Sequence, residues 1–162
     1  MDDLHIKGYV PGAIGRIAEL HALYYHRHWQ FGLYFEAKVA SELSAFLCRF
    51  DQGRDGFWTV NLDGTVQGGL AIDGRDAESD GAHLRWFILA DKLRGKGIGN
   101  QLMAQAVGLC KECKYASVYL WTFEGLSAAR HLYEKFGFAL EHEQDGEQWG
   151  TRVREQKFVL RF

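Results

Sequence analysis

The chain has 162 residues, 47% of them hydrophobic and 14% aromatic, and sets 19 Lys and Arg against 21 Asp and Glu for a formal charge of −2. That is enough apolar surface for one domain with a core of its own, which excludes a disordered chain and a miniature disulfide-dependent fold. The near balance of charge excludes a general electrostatic drive toward polyanions, so neither nucleic acid nor a membrane is expected as a partner.

The first residues, MDDLHIKGYVPGAIG, start acidic and contain no apolar core of signal-peptide length. With no long uncharged apolar run and three cysteines, Cys48, Cys110 and Cys113, an odd number suited to a reducing compartment, a cytoplasmic protein is expected. After Pro11, the residues Ile14, Ile17, Ala18, His21, Tyr24, Tyr25 and His28 recur at helical spacing and predict a first amphipathic helix over 11–29. Val39, Leu43, Phe46, Leu47 and Phe50 predict a second, ending before the loop from Gly53 to Gly56. From Phe57 the pattern becomes β-branched and aromatic, FWTVN, then Asp63-Gly64, then TVQGGLAI, which reads as an antiparallel hairpin followed by a polar loop over 74–81.

HLRWFIL, residues 83–89, predicts a central strand buried on both faces. Behind it, Ile98, Leu102, Ala106, Leu109 and Cys113 form one helical stripe that begins immediately after a run of glycines. ASVYLWTF, residues 116–123, predicts another strand, and Ser127 is placed to cap a helix, AARHLYEKF, that Gly137 terminates. The tail reads as FALEHE, a turn at Asp145-Gly146 and a long strand toward Phe162, with no repeat and no linker.

The most informative segment is Arg94-Gly95-Lys96-Gly97-Ile98-Gly99, where alternate glycines let the backbone curl and aim several N–H groups at one spot. The helix that follows adds the positive end of its dipole, and Arg94 and Lys96 add full charges, so a phosphate is a natural guest. A plain glycine turn with surface cations fits the same residues. A Walker A loop does not, because Lys96 is followed by Gly97 rather than Ser or Thr, and a dinucleotide-binding oxidoreductase fits weakly, because the spacing is not GxGxxG.

Taken together, FILADKLRGKGIGNQLM and SVYLWTFEGLSAARHLYEKFGF resemble the cofactor half of the GNAT superfamily of N-acetyltransferases. The first matches that family's [Q/R]xxGx[G/A] pattern through Arg94, Gly97 and Gly99; the second is similar to its later strand and helix. More narrowly, GYVPGAIGRIAELHALYYHRHW and QWGTRV resemble the acetyltransferase module that can follow a MarR-type regulator, with no room here for the DNA-binding part. The resemblance implies one GNAT-like domain over 1–162, of α/β (α+β) class: a mixed, largely antiparallel sheet of about six or seven strands, splayed at its middle and flanked by about four helices.

It also implies an acetyl-CoA-dependent N-acetyltransferase that moves the acetyl group to a primary amine by direct attack, with a non-catalytic acyl-CoA sensor or interaction module as the alternative. Acetyl-CoA would be held by Phe87, Ile88 and Leu89 of the central strand, by the run Arg94, Gly95, Lys96, Gly97, Ile98, Gly99 and Asn100, and by Ser127, since Leu126 stands where the family often has a pantetheine-binding Asn. Tyr133 occupies the position of the general acid that protonates the departing thiolate. The amine must lose a proton, because an alkyl ammonium of pKa about 10.4 is neutral only at about one part in 10³ at pH 7. Many members of the family use a Glu on the central strand or the next one, but here the central strand has His83 and Arg85 and the later one has Trp121 where one subgroup has Glu, so Glu124 and then His83 are the candidate bases. Tyr25, Trp29, Phe31 and Glu36 are candidates for the acceptor site, as part of an aromatic cluster around the junction of the first two helices. The CxxC of Cys110 and Cys113 inside a helix predicts free thiols, His21, His26 and His28 a packing or solvated face, and no metal is expected. A homodimer through the last strand or the helices is an assembly common among similar folds.

Overall fold

The computed structural model describes residues 3–162. Its elements in chain order are β1 (Leu4–Lys7), α1 (Ala13–Trp29), α2 (Leu33–Cys48), β2 (Gly56–Leu62), β3 (Thr65–Asp73), a single turn α3 (Ala77–Asp80), β4 (Ala82–Leu89), α4 (Ile98–Glu112), β5 (Ser117–Phe123), α5 (Ser127–Lys135), β6 (Ala139–Gly146) and β7 (Val153–Arg161). The strands form one sheet in the order β1-β2-β3-β4-β5-β7-β6, with every neighbour antiparallel except β4 and β5.

Side-chain periodicity explains how the helices seat. α1 buries Ala13, Ile17, Ala18 and His21 on one stripe, and α2 buries Phe35, Val39, Leu43 and Phe46. With Phe57, Val66, Ala71 and Ile88 these fill one face of the sheet. On the other face, Ile98, Leu102, Met103, Ala106 and Cys110 of α4 pack on Leu70, Ile72, Leu84, Val118 and Leu120. The alternation Leu70, Ala71, Ile72 along β3 is the period-two pattern of a strand covered on both sides.

Three expectations are corrected, and one strand, β1, is added. β1 carries no sequence signal beyond four residues and forms because Leu4–Lys7 pair with Leu62–Thr59. Asp145 and Gly146 are paired in β6, opposite Arg154 and Val153, so the closing turn spans residues 147–152. Leu126, not Ser127, occupies the N-cap of α5, and no side chain caps it. β4 is not buried on both faces, because only Ala82, Leu84 and Ile88 are fully covered.

That last departure shapes the molecule. Between Gly69–Ala71 of β3 and Arg85–Ile88 of β4 the register shifts, which makes a β-bulge, and Trp86 there has a φ of 52°. A bulky residue in the left-handed region is unusual and bends the strand. The extra residue also changes which side chain faces which layer: Leu84 packs on the α4 side, yet Ile88, four residues on, packs with α1 and α2. From Leu84, just ahead of the bulge, β4 parts from β5. The two strands pair only at Ala82 with Val118 and His83 with Tyr119, whereas β5 pairs with β7 along its whole length. The sheet is therefore two halves joined at one end and open at the other.

Candidate active site

Opening the seam leaves β4 backbone groups from Leu84 onward without a strand partner toward β5, and buried amide groups need partners of some kind. Two cavities fill the wedge. One, about 570 Å³, lies between the end of β4, the turn before α4, and α5. The other, about 330 Å³, lies between β4, β5, α1 and α2. Tyr25, Phe87, Leu126 and Tyr133 line both, so the cavities meet there.

The larger cavity gathers the residues expected to hold a cofactor. Phe87, Ile88, Leu89, Arg94, Gly95, Gly97, Ile98, Gly99, Asn100 and Ser127 all line it; Lys96 is exposed at its rim and does not. Gly95 and Gly97 have φ of 74° and 79°, and a Cβ built on Gly97 would meet nothing within 4 Å. Gln101 is the first residue to donate back into α4, to the Gly97 carbonyl at 3.2 Å. The N–H groups of Ile98, Gly99 and Asn100 therefore start the helix without an intrahelical acceptor, and no side chain caps them. Such donors at the positive end of a helix form an anion site. Arg94, stacked 4.5 Å over the Tyr24 ring, and Lys135, whose Nζ donates to Asn100 Oδ1 at 2.8 Å, bring positive charge to the same end. Lys135 was not singled out in the sequence, because only the fold carries the end of α5 back to the turn.

Tyr133 lies at the junction, 6% exposed, with its ring against Phe87, Phe138 and Phe158. Among the described residues its hydroxyl has no hydrogen-bond partner, yet it is not sealed off, so it faces the junction of the cavities. Burial, and then neighbouring Tyr25, push its pKa above the ordinary phenol value, so the proton is retained. Tyr25 is pushed up in the same way by burial and Tyr24, with Arg94 opposing.

Of the other expected residues, His83 lines the smaller cavity, stacked on Tyr119 with ring centroids 4.4 Å apart. Burial, with Arg85 assisting, lowers its pKa to about 3, so it is neutral near pH 7. Glu124 is exposed beyond β5 and lines neither cavity. Phe31 is fully buried among Tyr25, Phe35 and Phe123, Trp29 packs edge-on against Phe123 and over Gly125, and Glu36 is exposed; none of the three lines a cavity. Of the expected acceptor residues, the fold thus brings Tyr25 alone to the junction.

Several lining residues escaped the sequence reading. His21 takes the packing alternative and also reaches a cavity: it is 5% exposed, lines the smaller cavity, and its Nδ1 donates to the Ile17 carbonyl at 2.8 Å, which leaves Nε2 as a lone-pair acceptor. Burial lowers its pKa to about 4. Lys38, Glu42 and Arg85 also line this cavity, with Lys38 Nζ 3.1 Å and Arg85 Nη2 2.9 Å from the two Glu42 oxygens. Trp86, Trp121 and Trp149 complete its walls. The spacing of Phe35, Lys38, Val39 and Glu42 marks one helix face, but only packing shows that this face is a cavity wall. Cys110 is buried in α4, Cys113 half-buried and Cys48 exposed. Among the described residues, no helix is long and apolar enough to cross a membrane.

Comparison with known proteins agrees with this geometry. The model of the acetyltransferase (GNAT) family matches residues 15–138. An uncharacterized N-acetyltransferase of Escherichia coli K12, YjgM, is 32% identical over 90 residues, 55% of this chain and 54% of that one, so the match spans about half the relative's length. An acetyltransferase of Streptococcus agalactiae superposes with a TM-score of 0.76 at 19% identity, covering 98% of both chains. The Salmonella typhimurium protein yncA, described as an acetyltransferase and solved with its cofactor acetyl-CoA, superposes at 0.71 with 12% identity over 98% of this chain and 93% of that one. The splayed seven-stranded sheet, the glycine turn into α4 and the family match over most of the length together establish that this chain belongs to the GNAT family of acetyltransferases.

Proposed function

We propose that the chain is an acetyl-CoA-dependent N-acetyltransferase that transfers the acetyl group directly to a primary amine, with both substrates bound at once. The observation that carries this reading is the meeting of two cavities at Tyr25, Phe87, Leu126 and Tyr133, the larger of them opening on the uncapped N–H groups of α4 that suit a pyrophosphate. Acetyl-CoA suits the larger cavity: its pyrophosphate would lie at the N–H groups that open α4, with Arg94 and Lys135 beside it, and its pantetheine amides would pair with the free edge of β4 at Phe87–Leu89. A relative of this fold solved with acetyl-CoA supports the choice. The amine would enter from the smaller cavity.

Placing both reactants at one junction makes the attack effectively intramolecular. The amine nitrogen bonds to the thioester carbon, the C–S bond breaks, and the Tyr133 hydroxyl gives its proton to the departing sulfur. The proton shed by the amine leaves through water and restores the phenol. Among the described residues, the single carboxylate lining the acceptor cavity is Glu42, and both of its oxygens are held by cations, while the buried histidines His21 and His83 are neutral near pH 7 and, with pKa values lowered to about 4 and about 3, are weak bases.

The deciding experiment is calorimetric titration with acetyl-CoA, CoA and NADH, followed by thiol release across a panel of amines. Binding of the CoA species alone, with amine-dependent release of one thiol per amide formed, is expected. Binding of NADH alone, or CoA binding without transfer to any amine, would refute the reading; the second result is what a non-catalytic sensor would give.

A further inference from the structure

The acceptor cavity has unlike ends. At and beside the junction its polar residues are uncharged: Tyr25 and Tyr133, which line both cavities, and His21, stacked 6.2 Å from the Tyr25 ring, with Nδ1 already committed to Ile17. At the other end stand Lys38 and Arg85, with one carboxylate, Glu42, between them. Counting the charged residues that line the cavity, two cations face one anion, so that end carries a net positive charge. Asp73 does not reverse the sign. It lies behind the cavity wall, where Arg49 holds it through two hydrogen bonds of 3.1 and 2.6 Å, and Arg85 Nη1 reaches it only at 3.5 Å.

Donors remain at the cationic end. An ammonium has three N–H bonds, and Lys38 uses one on Glu42; a guanidinium has five, and Arg85 uses one on Glu42 and one on Asp73. The Arg85 guanidinium also lies over the Trp86 ring at 4.1 Å, so its plane is fixed in advance of any ligand. The Trp86 backbone that supports it is the strained residue of the bulge, at φ 52°. Strain of that kind persists where a wall is held in a set shape.

We infer that the acceptor is an amine that also bears a carboxylate, with the carboxylate received by Lys38 and Arg85 and the nitrogen directed toward His21 and the Tyr25–Tyr133 junction. This rests on the acetyl-transfer reading above and specifies its substrate class. Phe35, which lies against Tyr25 with centroids 5.1 Å apart, and Lys38 and Glu42 follow one another on the same face of α2, at one and two helical turns. The axial rise therefore separates the two ends by roughly 5–10 Å. That span suits an amine and a carboxylate several bonds apart, such as an ω-amino acid or an aminomethyl benzoate. The aromatic side chains Phe35, Trp121 and Trp149 enclose the space between. A diamine of the same length would place its second positive charge against Lys38 and Arg85.

The test needs binding as well as turnover, and three tryptophans in the wall supply a fluorescence signal. Butylamine, γ-aminobutyrate, benzylamine, 4-aminomethylbenzoate and 1,4-diaminobutane are titrated into the CoA-saturated protein, and thiol release from acetyl-CoA is followed with the same amines. Each carboxylated probe is expected to bind at least about tenfold more tightly than its parent amine without the carboxylate, the size expected of one charge-assisted hydrogen bond. Lys38→Met should shrink that ratio toward one and Lys38→Glu should turn it in favour of 1,4-diaminobutane, with acetyl-CoA titration reporting that each variant is folded. Equal binding of parent and carboxylated probe, tighter binding of the diamine, or no saturable signal with either carboxylated probe overturns the inference. Thiol release that is equal for all amines removes the carboxylate preference and leaves acetyl transfer standing. Tight, carboxylate-selective binding with no thiol release does the reverse.

Discussion

Replacing Tyr133 by Phe isolates one hydroxyl, because the ring contacts with Phe87, Phe138 and Phe158 are kept. Among the described residues that hydroxyl bonds to no protein group, so its loss leaves nothing unpaired and the unfolding free energy should change by no more than about 1 kcal/mol. Its chemical contribution is larger. General acid catalysis is worth about 10²–10⁴ in rate, or roughly 3–5 kcal/mol of barrier. Tyr133→Phe should therefore lower kcat for thiol release by about that factor, while acetyl-CoA affinity, measured by calorimetry, stays within a few fold. The defect should also narrow above pH about 8.5, near the reference pKa of a thiol, where the leaving thiolate no longer needs a proton. In the native protein no loss of rate is expected near pH 10 from this phenol, since burial holds its pKa above the ordinary value. An unchanged kcat, or a defect that does not depend on pH, would refute the assignment.

Gly97→Val puts a side chain into the open space before α4 and forces an L residue to φ 79°, at a cost of about 1–2 kcal/mol; acetyl-CoA binding should be lost in calorimetry while the far-UV spectrum persists, and retained affinity would contradict the placement of the pyrophosphate. His21 and His83 have folded pKa values of about 4 and about 3, below the unfolded value of 6.5. The unfolded chain thus binds more protons in acid, and stability is full above pH 6.5 and falls as pH drops toward those values. Linkage puts the loss at about 2 kcal/mol per histidine at pH 5, to be read by urea unfolding at pH 5 and 7, and His21→Phe should roughly halve the difference, because His83 remains. Glu124→Gln should leave kcat/KM within about twofold, because Glu124 touches neither cavity; a loss of tenfold or more would restore it as the base.

The order of helices and strands, the hairpin at Asp63-Gly64 and the glycine turn into α4 were legible in the chain because each rests on neighbours within a few residues: a 3.6 or 2.0 period, or a φ only glycine adopts easily. The lining of the larger cavity, where we propose that acetyl-CoA binds, was legible for the same reason, since Arg94 through Asn100 form one contiguous loop and Tyr133 sits in a contiguous helix. The acceptor cavity was not. Phe31 and Glu36 looked suitable beside Tyr25, yet the link between α1 and α2 buries Phe31 against Tyr25, Phe35 and Phe123, and the rotation of α2 turns Glu36 to solvent while Lys38 and Glu42 of that helix face inward. The bulge at Trp86, the parting of β4 from β5 and the convergence of His21, Arg85 and Trp149 join residues as many as 128 positions apart. Local periodicity determined which segments fold as helices and strands and where an anion can bind. Only long-range packing, through a strained bulge that opens the sheet, decided which residues line the smaller cavity.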